Sequence, residues 1–326
     1  MTAPPQIDIR SARVLVLGGG PDSEREVSLE SSRGVAEALG GAGVNVRYEV
    51  VGSDRTVAGA PLSARALRDL GCTVVFPVLH GPWGEGGPLQ DLLEQSGLAF
   101  VGCRGPAARL AMDKMATKLA AARVGVPTAA AGVLRAGDGE PCVGLPCVVK
   151  PIHEGSSVGV HICRDREAWT RAADAVASDR TPGRVWMVER AVTPSTEVTV
   201  GVLDGLALAP IRIVPTVEFY DYQAKYTRDD TRYEVDSPAL SPGLKRMLCD
   251  YAAVVAREVG VRHLARVDFL IDQDQRPWLL EVNSMPGFTS HSLLPMAAAH
   301  AGLDFPALVR KLVELALRDA SEVVRA

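Results

Sequence analysis

At 326 residues the chain is long enough for about two or three cores. Its net charge of −4 and pI near 5.9 argue against a binder of nucleic-acid phosphate, which is usually basic. No apolar stretch nears the ~20 residues of a membrane helix, and Met1-Thr2-Ala3-Pro4-Pro5-Gln6 lacks the basic and long apolar regions of a signal peptide.

Arg13 to Leu17 reads as a short strand running into Gly18-Gly19-Gly20, with a helix from about Ser28 to Leu39 stopped by Gly40-Gly41. Val44 to Val51 is a second strand. Thr73 to Leu79 is a continuous apolar strand of the kind buried on both faces of a parallel sheet. This alternation predicts a doubly wound α/β domain to about residue 103. Gly105 to Val124 is Ala-rich and predicted helical. Beyond Pro127 the texture changes to short strands: Cys147 to Lys150, Val158 to Cys163, Val185 to Glu189, Glu197 to Leu203 and Leu208 to Pro215, with a helix at Glu167 to Val176. That is an α+β texture, and it places domain boundaries near residues 103 and 190. Tyr222 to Pro242 is the longest polar stretch and is expected to form a mobile lid. Helices are expected at Ser241 to Val259 and at Phe305 to Val324, the latter with Leu308, Leu312 and Leu315 on one stripe. The six cysteines form no C-x-x-C pair, as expected of small buried hydrophobes in a reducing cytoplasm, with neither disulfides nor zinc.

Between the last two helices, Ala265 to Asp272 and Pro277 to Asn283 flank a polar turn and form a hairpin candidate. Side chains alternate faces along a strand. A turn centred between Asp274 and Gln275 sets Asp268 opposite Glu281 and Arg266 opposite Asn283. Two carboxylates and a carboxamide on greasy strands are oxygen ligands suited to magnesium. A structural Arg–carboxylate ion pair is the other reading of the same face.

Five further segments carry chemistry. Gly18-Gly19-Gly20 lacks the dinucleotide fingerprint, because Ser23 replaces its last glycine. Glu24 and Glu26 follow at a strand's carboxyl end, where an ammonium would be attracted; solvated acids at a helix N-terminus are the alternative. His80-Gly81-Pro82-Trp83-Gly84-Glu85-Gly86-Gly87 suggests close backbone approach to a ligand, or a plain turn. Lys150, followed by Glu154-Gly155-Ser156-Ser157-Val158-Gly159, can offer an ammonium, N–H groups and hydroxyls to phosphate. There is no Gly-Lys dipeptide and so no Walker A loop. Phe219 to Tyr226, with three tyrosines and Lys225, suits a lid that excludes water, or a solvated loop. Asn283 to Leu293 carries Gly287 and Ser292 as donors for a carboxylate or oxyanion.

Taken in order, these blocks, together with Met112-Asp113-Lys114, resemble the D-alanine–D-alanine ligases of the ATP-grasp superfamily, from about Val14 to Leu317. The resemblance implies an ATP-grasp fold with an N-terminal Rossmann-like domain and ATP-driven joining of two D-alanines through an acylphosphate. It further implies cytoplasmic location, a homodimer, and neither nucleic acid nor membrane as partner. By the same resemblance Asp268, Glu281 and Asn283 would hold two magnesium ions, for which manganese could substitute. Lys114, Lys150 and Lys225 would contact ATP phosphates. Glu189, Arg190 and Val192 would meet adenine, and Glu197 the ribose. Glu24 would bind the ammonium of the first D-alanine, Ser292 and Leu293 the second carboxylate, with His80 a further substrate contact. Arg266 and the N–H of Gly287 would form the oxyanion hole. Ser156 and Tyr226 would latch the lid. Gly86 and His153 depart from the family pattern, and the interval from Glu189 to Glu197 is about one residue longer than usual. Relatives that make D-alanyl-D-lactate lack the tyrosine at Tyr226, so its presence favours D-alanine as acceptor. A nicotinamide dehydrogenase and a non-catalytic nucleotide-binding regulator are the rival classes. The broken glycine fingerprint counts against the first, and the complete metal set against the second.

Overall fold

The computed structural model describes residues 9–156, 158–215, 231–289 and 291–325. A parallel sheet comes first. Strand β1 (Arg13–Gly19) is followed by helix α1 (Arg25–Gly41) and β2 (Asn45–Val51), then the small ribbon of β3 (Thr56–Val57) and β4 (Ala60–Pro61). Helix α2 (Ala64–Asp69), β5 (Val74–Pro77), the short α3 (Gly81–Gly84), α4 (Pro88–Ser96) and β6 (Ala99–Phe100) complete the unit, with strand order β2-β1-β5-β6. Both faces are covered. Val14, Val16 and Phe76 pack with Val35 and Leu39 of α1, while Leu15, Leu17 and Val75 pack with Leu67, Leu89 and Leu93 of α2 and α4. That double burial is why the strands read as unbroken apolar runs. Gly18 is required by packing: a Cβ there would lie 1.9 Å from Ser32 Oγ on α1.

The Ala-rich stretch expected as one helix is two: α5 (Gly105–Met112) and α6 (Lys114–Arg123). Asp113 leaves the helical region (ψ 104°), and its side chain accepts from Ala116 N at 2.9 Å. An aspartate that can cap competes with helix continuation. The break places Lys114 at the first position of α6.

The second sheet is antiparallel. It holds β7 (Ala131–Leu134), β8 (Cys147–Pro151), β9 (His161–Cys163) and β10 (Trp186–Arg190) in the order β7-β10-β8-β9. Helix α7 (Arg166–Ser178) lies on it through Trp169, Ala172 and Val176.

The third sheet contains β11 (Ser195–Leu203), β12 (Leu206–Ala207), β13 (Ile211–Val214), β14 (Arg232–Val235), β15 (Leu264–Asp272) and β16 (Pro277–Asn283). The order is β14-β13-β11-β15-β16, with β12 on β11. Helix α8 (Pro242–Val259) covers one face through Leu244, Leu248 and Val255 against Val198, Val200, Val267 and Phe269. Strand β14 corrects the expected lid span. Residues 232–235 pair with β13, and Tyr233 and Val235 pack on a small core with Ile211 and Ile213. Charged neighbours in that stretch hid a two-residue alternation. Residues 216–230, with Tyr220, Tyr222, Lys225 and Tyr226, lie outside the described residues, as do Ser157 and Ser290.

Helix α9 (Leu293–His300) follows, then α10 (Phe305–Arg325), whose Leu308, Leu312 and Leu315 complete the core under the first sheet. The chain's last helix therefore closes its first sheet. Phe288 joins the same core, with its ring edge-on to Phe76 at 5.6 Å between centroids. Phe288→Ala should lower unfolding free energy by about 3–5 kcal/mol, measured by urea titration.

Candidate active site

The centre of the site lies on the face of the third sheet opposite α8. Asp268 pairs with Glu281 and Arg266 with Asn283, the register expected from sequence. The route to it differs. Near the turn the pairing is Phe269–Leu279, so Leu280 is the extra residue of a bulge. Without the bulge, Leu279 and Val282 could not both enter the α8 core, as they do, while Glu281 stays on the other face.

Asp268 is 2 % exposed. It accepts from Arg266 Nε and Nη2 (3.0 and 2.9 Å), from Asn283 Nδ2 (3.0 Å) and from Thr199 Oγ1 (2.5 Å). Thr199 was not singled out in the sequence; nothing local reveals that β11 pairs with β15 and sets Thr199 opposite Asp268. The Arg266–Asp268 ion pair is thus real. The donor set of two carboxylates and one carboxamide also fits magnesium, which favours hard oxygen ligands. Among the described residues no group of three or more His, Cys, Asp and Glu forms a metal cluster.

Lys114 Nζ lies 3.5 Å from Glu281 Oε2 and donates to the Glu154 carbonyl. Burial pushes its ammonium pKa down, against the pull of Glu281. Lys150, on β8, pairs with Glu189 on β10. A second lysine, Lys118, reaches the other Glu189 oxygen at 2.8 Å. Lys118 is a further residue that sequence reasoning passed over, lying one turn beyond Lys114 on α6. Burial alone would raise the Glu189 carboxyl, but the two ammoniums outweigh it and hold the pKa below the usual value.

Glu189 also lines a groove between the second and third sheets, with Val148, Val192, Leu270 and Trp278. The Arg190 N–H donates to the Ala130 carbonyl at 2.8 Å, so Val192 and not Arg190 offers an N–H there. Glu197 lines both this groove and the cleft over Asp268, which joins the two.

At the far end of the cleft stand Glu24, His80, Glu85, Gly155, Ser156, Gly287, Ser292 and Leu293. Glu24 immediately precedes α1 and accepts from Ser156 Oγ. The expected partner of Ser156, Tyr226, lies outside the described residues. His80 Nδ1 meets the Met285 carbonyl at 3.0 Å, which assigns the proton to Nδ1. Nε2 is then an acceptor, buried and without a partner among the described residues. Burial lowers the imidazole pKa, although nearby Glu24 raises it. Ser292 precedes α9 but does not cap it; its Oγ accepts from Thr289 N at 2.9 Å. The first N–H groups of α9, beginning at Leu293, therefore remain available to an anion. Gly287 sits beside this end, where a Cβ would approach Ser292 Oγ to 2.9 Å.

Glu85, in the His80 to Gly87 segment, has a structural task. Its two oxygens accept from Gly81 N (3.2 Å) and Met285 N (3.1 Å), tying the β5 turn to the loop after β16. Burial, reinforced by Glu24, raises its pKa to about 8.

A cleft that gathers buried lysines, opposed carboxylates and shifted pKa values is that of an enzyme. The profile described as "D-ala D-ala ligase C-terminus" matches residues 137–314. The D-alanine–D-alanine ligase of Haemophilus ducreyi is 38% identical over 317 residues, covering 95% of this chain and 100% of that protein. Those of Anaeromyxobacter sp. and Chromohalobacter salexigens are each 42% identical over 312 residues, covering 93% and 94% of this chain and 96% and 94% of theirs. The chain belongs to the D-alanine–D-alanine ligase family.

The raised pKa of Glu85 has a consequence for stability. The unfolded carboxyl titrates near 4.5 and the folded one near 8, so folding takes up a proton between those values. The contribution is complete below pH 4.5 and is lost as pH rises through 8. Glu85→Gln should remove a slope of up to about 1.4 kcal/mol per pH unit in that window. Unfolding midpoints of both proteins at pH 5 to 8.5 measure it.

Proposed function

We propose that this protein joins two D-alanine molecules at the expense of ATP, forming D-alanyl-D-alanine, ADP and phosphate for peptidoglycan precursor synthesis. The observation that carries this reading is the opposition of Asp268 and Glu281 beside Lys114, at one end of a cleft whose other end is the open N-terminus of α9. Similarity to D-alanine–D-alanine ligases over nearly the whole chain supports it.

The chemistry dictates the parts. A carboxylate oxygen leaves poorly until phosphorylated. An oxygen of the first D-alanine attacks the γ-phosphorus of ATP, and the bond to ADP breaks. The amine of the second attacks the acylphosphate carbon, the carbon–oxygen bond to phosphate breaks, and the amine loses a proton. Phosphoryl transfer asks mainly for positioning and charge neutralisation. Lys114 and Lys150 serve the phosphates from the second-sheet side, and Lys225 serves the γ-phosphate from the segment between β13 and β14. Asp268, Glu281 and Asn283 would hold two magnesium ions, for which manganese could substitute. Magnesium bound there would neutralise phosphate charge. Adenine lies in the groove with Glu189, Arg190 and Val192, and Glu197 meets the ribose where groove and cleft join. Glu24 receives the ammonium of the first D-alanine, and His80 Nε2 adds a neutral acceptor. Arg266 and the Gly287 N–H face the developing oxyanion. Ser292 and the N-terminus of α9 at Leu293 take the second carboxylate. Ser156 and Tyr226 hold the lid closed.

In this reading the architecture is an ATP-grasp fold. The substrate-binding domain runs to about residue 103, the central subdomain to 189, and the subdomain with metal and substrate sites to the end. The enzyme is cytoplasmic and a homodimer. No helix among the described residues is long and apolar enough to cross a membrane.

The test is phosphate release with ATP and magnesium, comparing D-alanine, L-alanine and D-lactate. D-alanine alone should support rapid turnover. Glu281→Gln or Asp268→Asn should lower it by on the order of a hundredfold or more without unfolding the protein. Near-normal turnover in the double variant refutes the metal assignment. If D-alanine and D-lactate in competition at neutral pH yield mostly D-alanyl-D-lactate, the acceptor assignment fails.

A further inference from the structure

Three buried charges meet at the inner end of the groove. Lys118, Lys150 and Glu189 are 6, 5 and 5 % exposed. The two lysines differ in how they are held. Lys118 Nζ donates to Thr128 Oγ1 at 2.7 Å, to the Ala129 carbonyl at 3.0 Å and to Glu189 Oε2 at 2.8 Å. An ammonium has three donors, so Lys118 is satisfied in full by its own surroundings. Lys150 has Glu189 Oε1 as its one partner among the described residues. Two of its donors remain for something else. One lysine is a fixture, and the other is parked.

We propose that Lys118 is the permanent counter-ion of Glu189, and that it thereby releases Lys150 to the polyphosphate and sets the preference for a purine carrying a 6-amino group. The proposal rests on reading the groove as the nucleotide site. An ionised carboxylate only accepts hydrogen bonds. It welcomes the 6-amino group of adenine and repels the 6-oxo group of hypoxanthine. A buried carboxylate without cations is driven towards its protonated form, which can donate to an oxo group. Once Lys150 turns to the phosphates, Glu189 keeps its charge only because Lys118 stays. With both lysines in place the Glu189 pKa is held down despite burial, by Lys150 first and by Lys118 beside it. Removing Lys118 has two effects: Lys150 becomes the sole counter-ion of Glu189 and is withheld from the phosphates, and whenever it leaves, Glu189 loses its preference.

The test is equilibrium binding of ATP and ITP, with magnesium and without D-alanine, by calorimetry. The proteins are the unmodified enzyme, Lys118→Met and Lys118→Arg. Lys118→Met should weaken ATP binding at least tenfold and ITP binding less, so that the ATP-to-ITP preference falls severalfold. Lys118→Arg should recover part of the preference. In steady state the KM for ATP should rise while the KM for D-alanine stays within about twofold. An unchanged ATP affinity in Lys118→Met overturns the proposal. So does an equal loss for both nucleotides, which marks a role confined to holding residues 128 and 129 against α6. If Lys118→Met does not fold, Thr128→Val keeps the charge and removes one anchor; a smaller fall in the same ratio supports the proposal and an unchanged ratio overturns it. An unmodified enzyme that ligates D-alanine with ATP but shows no preference for ATP over ITP refutes Lys118's role alone. One that binds neither nucleotide overturns the nucleotide reading and this inference with it.

Discussion

The site depends on how the loop leaving β16 is clamped to the first sheet. Met285 gives its N–H to Glu85 and its carbonyl to His80. Phe288 N donates to Ser31 Oγ at 3.1 Å while its ring enters the core against Phe76. Gly287 is held between these anchors. Buried backbone groups must find partners, and here they find them on an element about 200 residues away in sequence. The same clamp joins the carboxylate face of the hairpin to the end of the cleft holding Glu24 and His80. α10 strengthens the junction by burying its leucine stripe under the first sheet.

The buried charges follow one rule. Each is held by a set of partners that offsets part of its cost of burial. Asp268 takes five hydrogen bonds from Arg266, Asn283 and Thr199. Glu189 takes two lysines, one saturated and one not. Lys114 has Glu154 behind it and Glu281 in front. A site left charged but not uncompensated can exchange protein partners for ligand groups without leaving an ion bare in low dielectric. Residues such as Thr199 and Lys118 are the part of each set that a ligand need not displace.

Much of this was legible in the chain. The pairing of Asp268 with Glu281 and of Arg266 with Asn283 was, although the bulge at Leu280, which shifts the pairing near the turn by one residue, was not. The glycine triplet lacks the dinucleotide fingerprint at Ser23, and the structure shows a packing task for its first member: Gly18 lies against Ser32. Local signals failed where a polar residue had a structural task. Asp113 reads locally as part of a continuous helix, yet it ends one and caps the next. Strand β14 reads locally as part of a polar loop because Arg232 and Glu234 flank the inward Tyr233 and Val235.

By itself the sequence determined which groups were available and in what local order: the carboxylates of the hairpin, the lysines, the glycine and serine donors, and the parity that gives each strand a greasy and a charged face. Those follow from covalent spacing and from the periods of strand and helix. Only the tertiary structure decided which distant groups meet. That β11 brings Thr199 to Asp268, that α6 brings Lys118 to Glu189, and that Glu85 is buried deeply enough to hold its proton to about pH 8 depend on sheet order and packing. Desolvation is a property of everything surrounding a group, so no stretch of neighbouring residues encodes it.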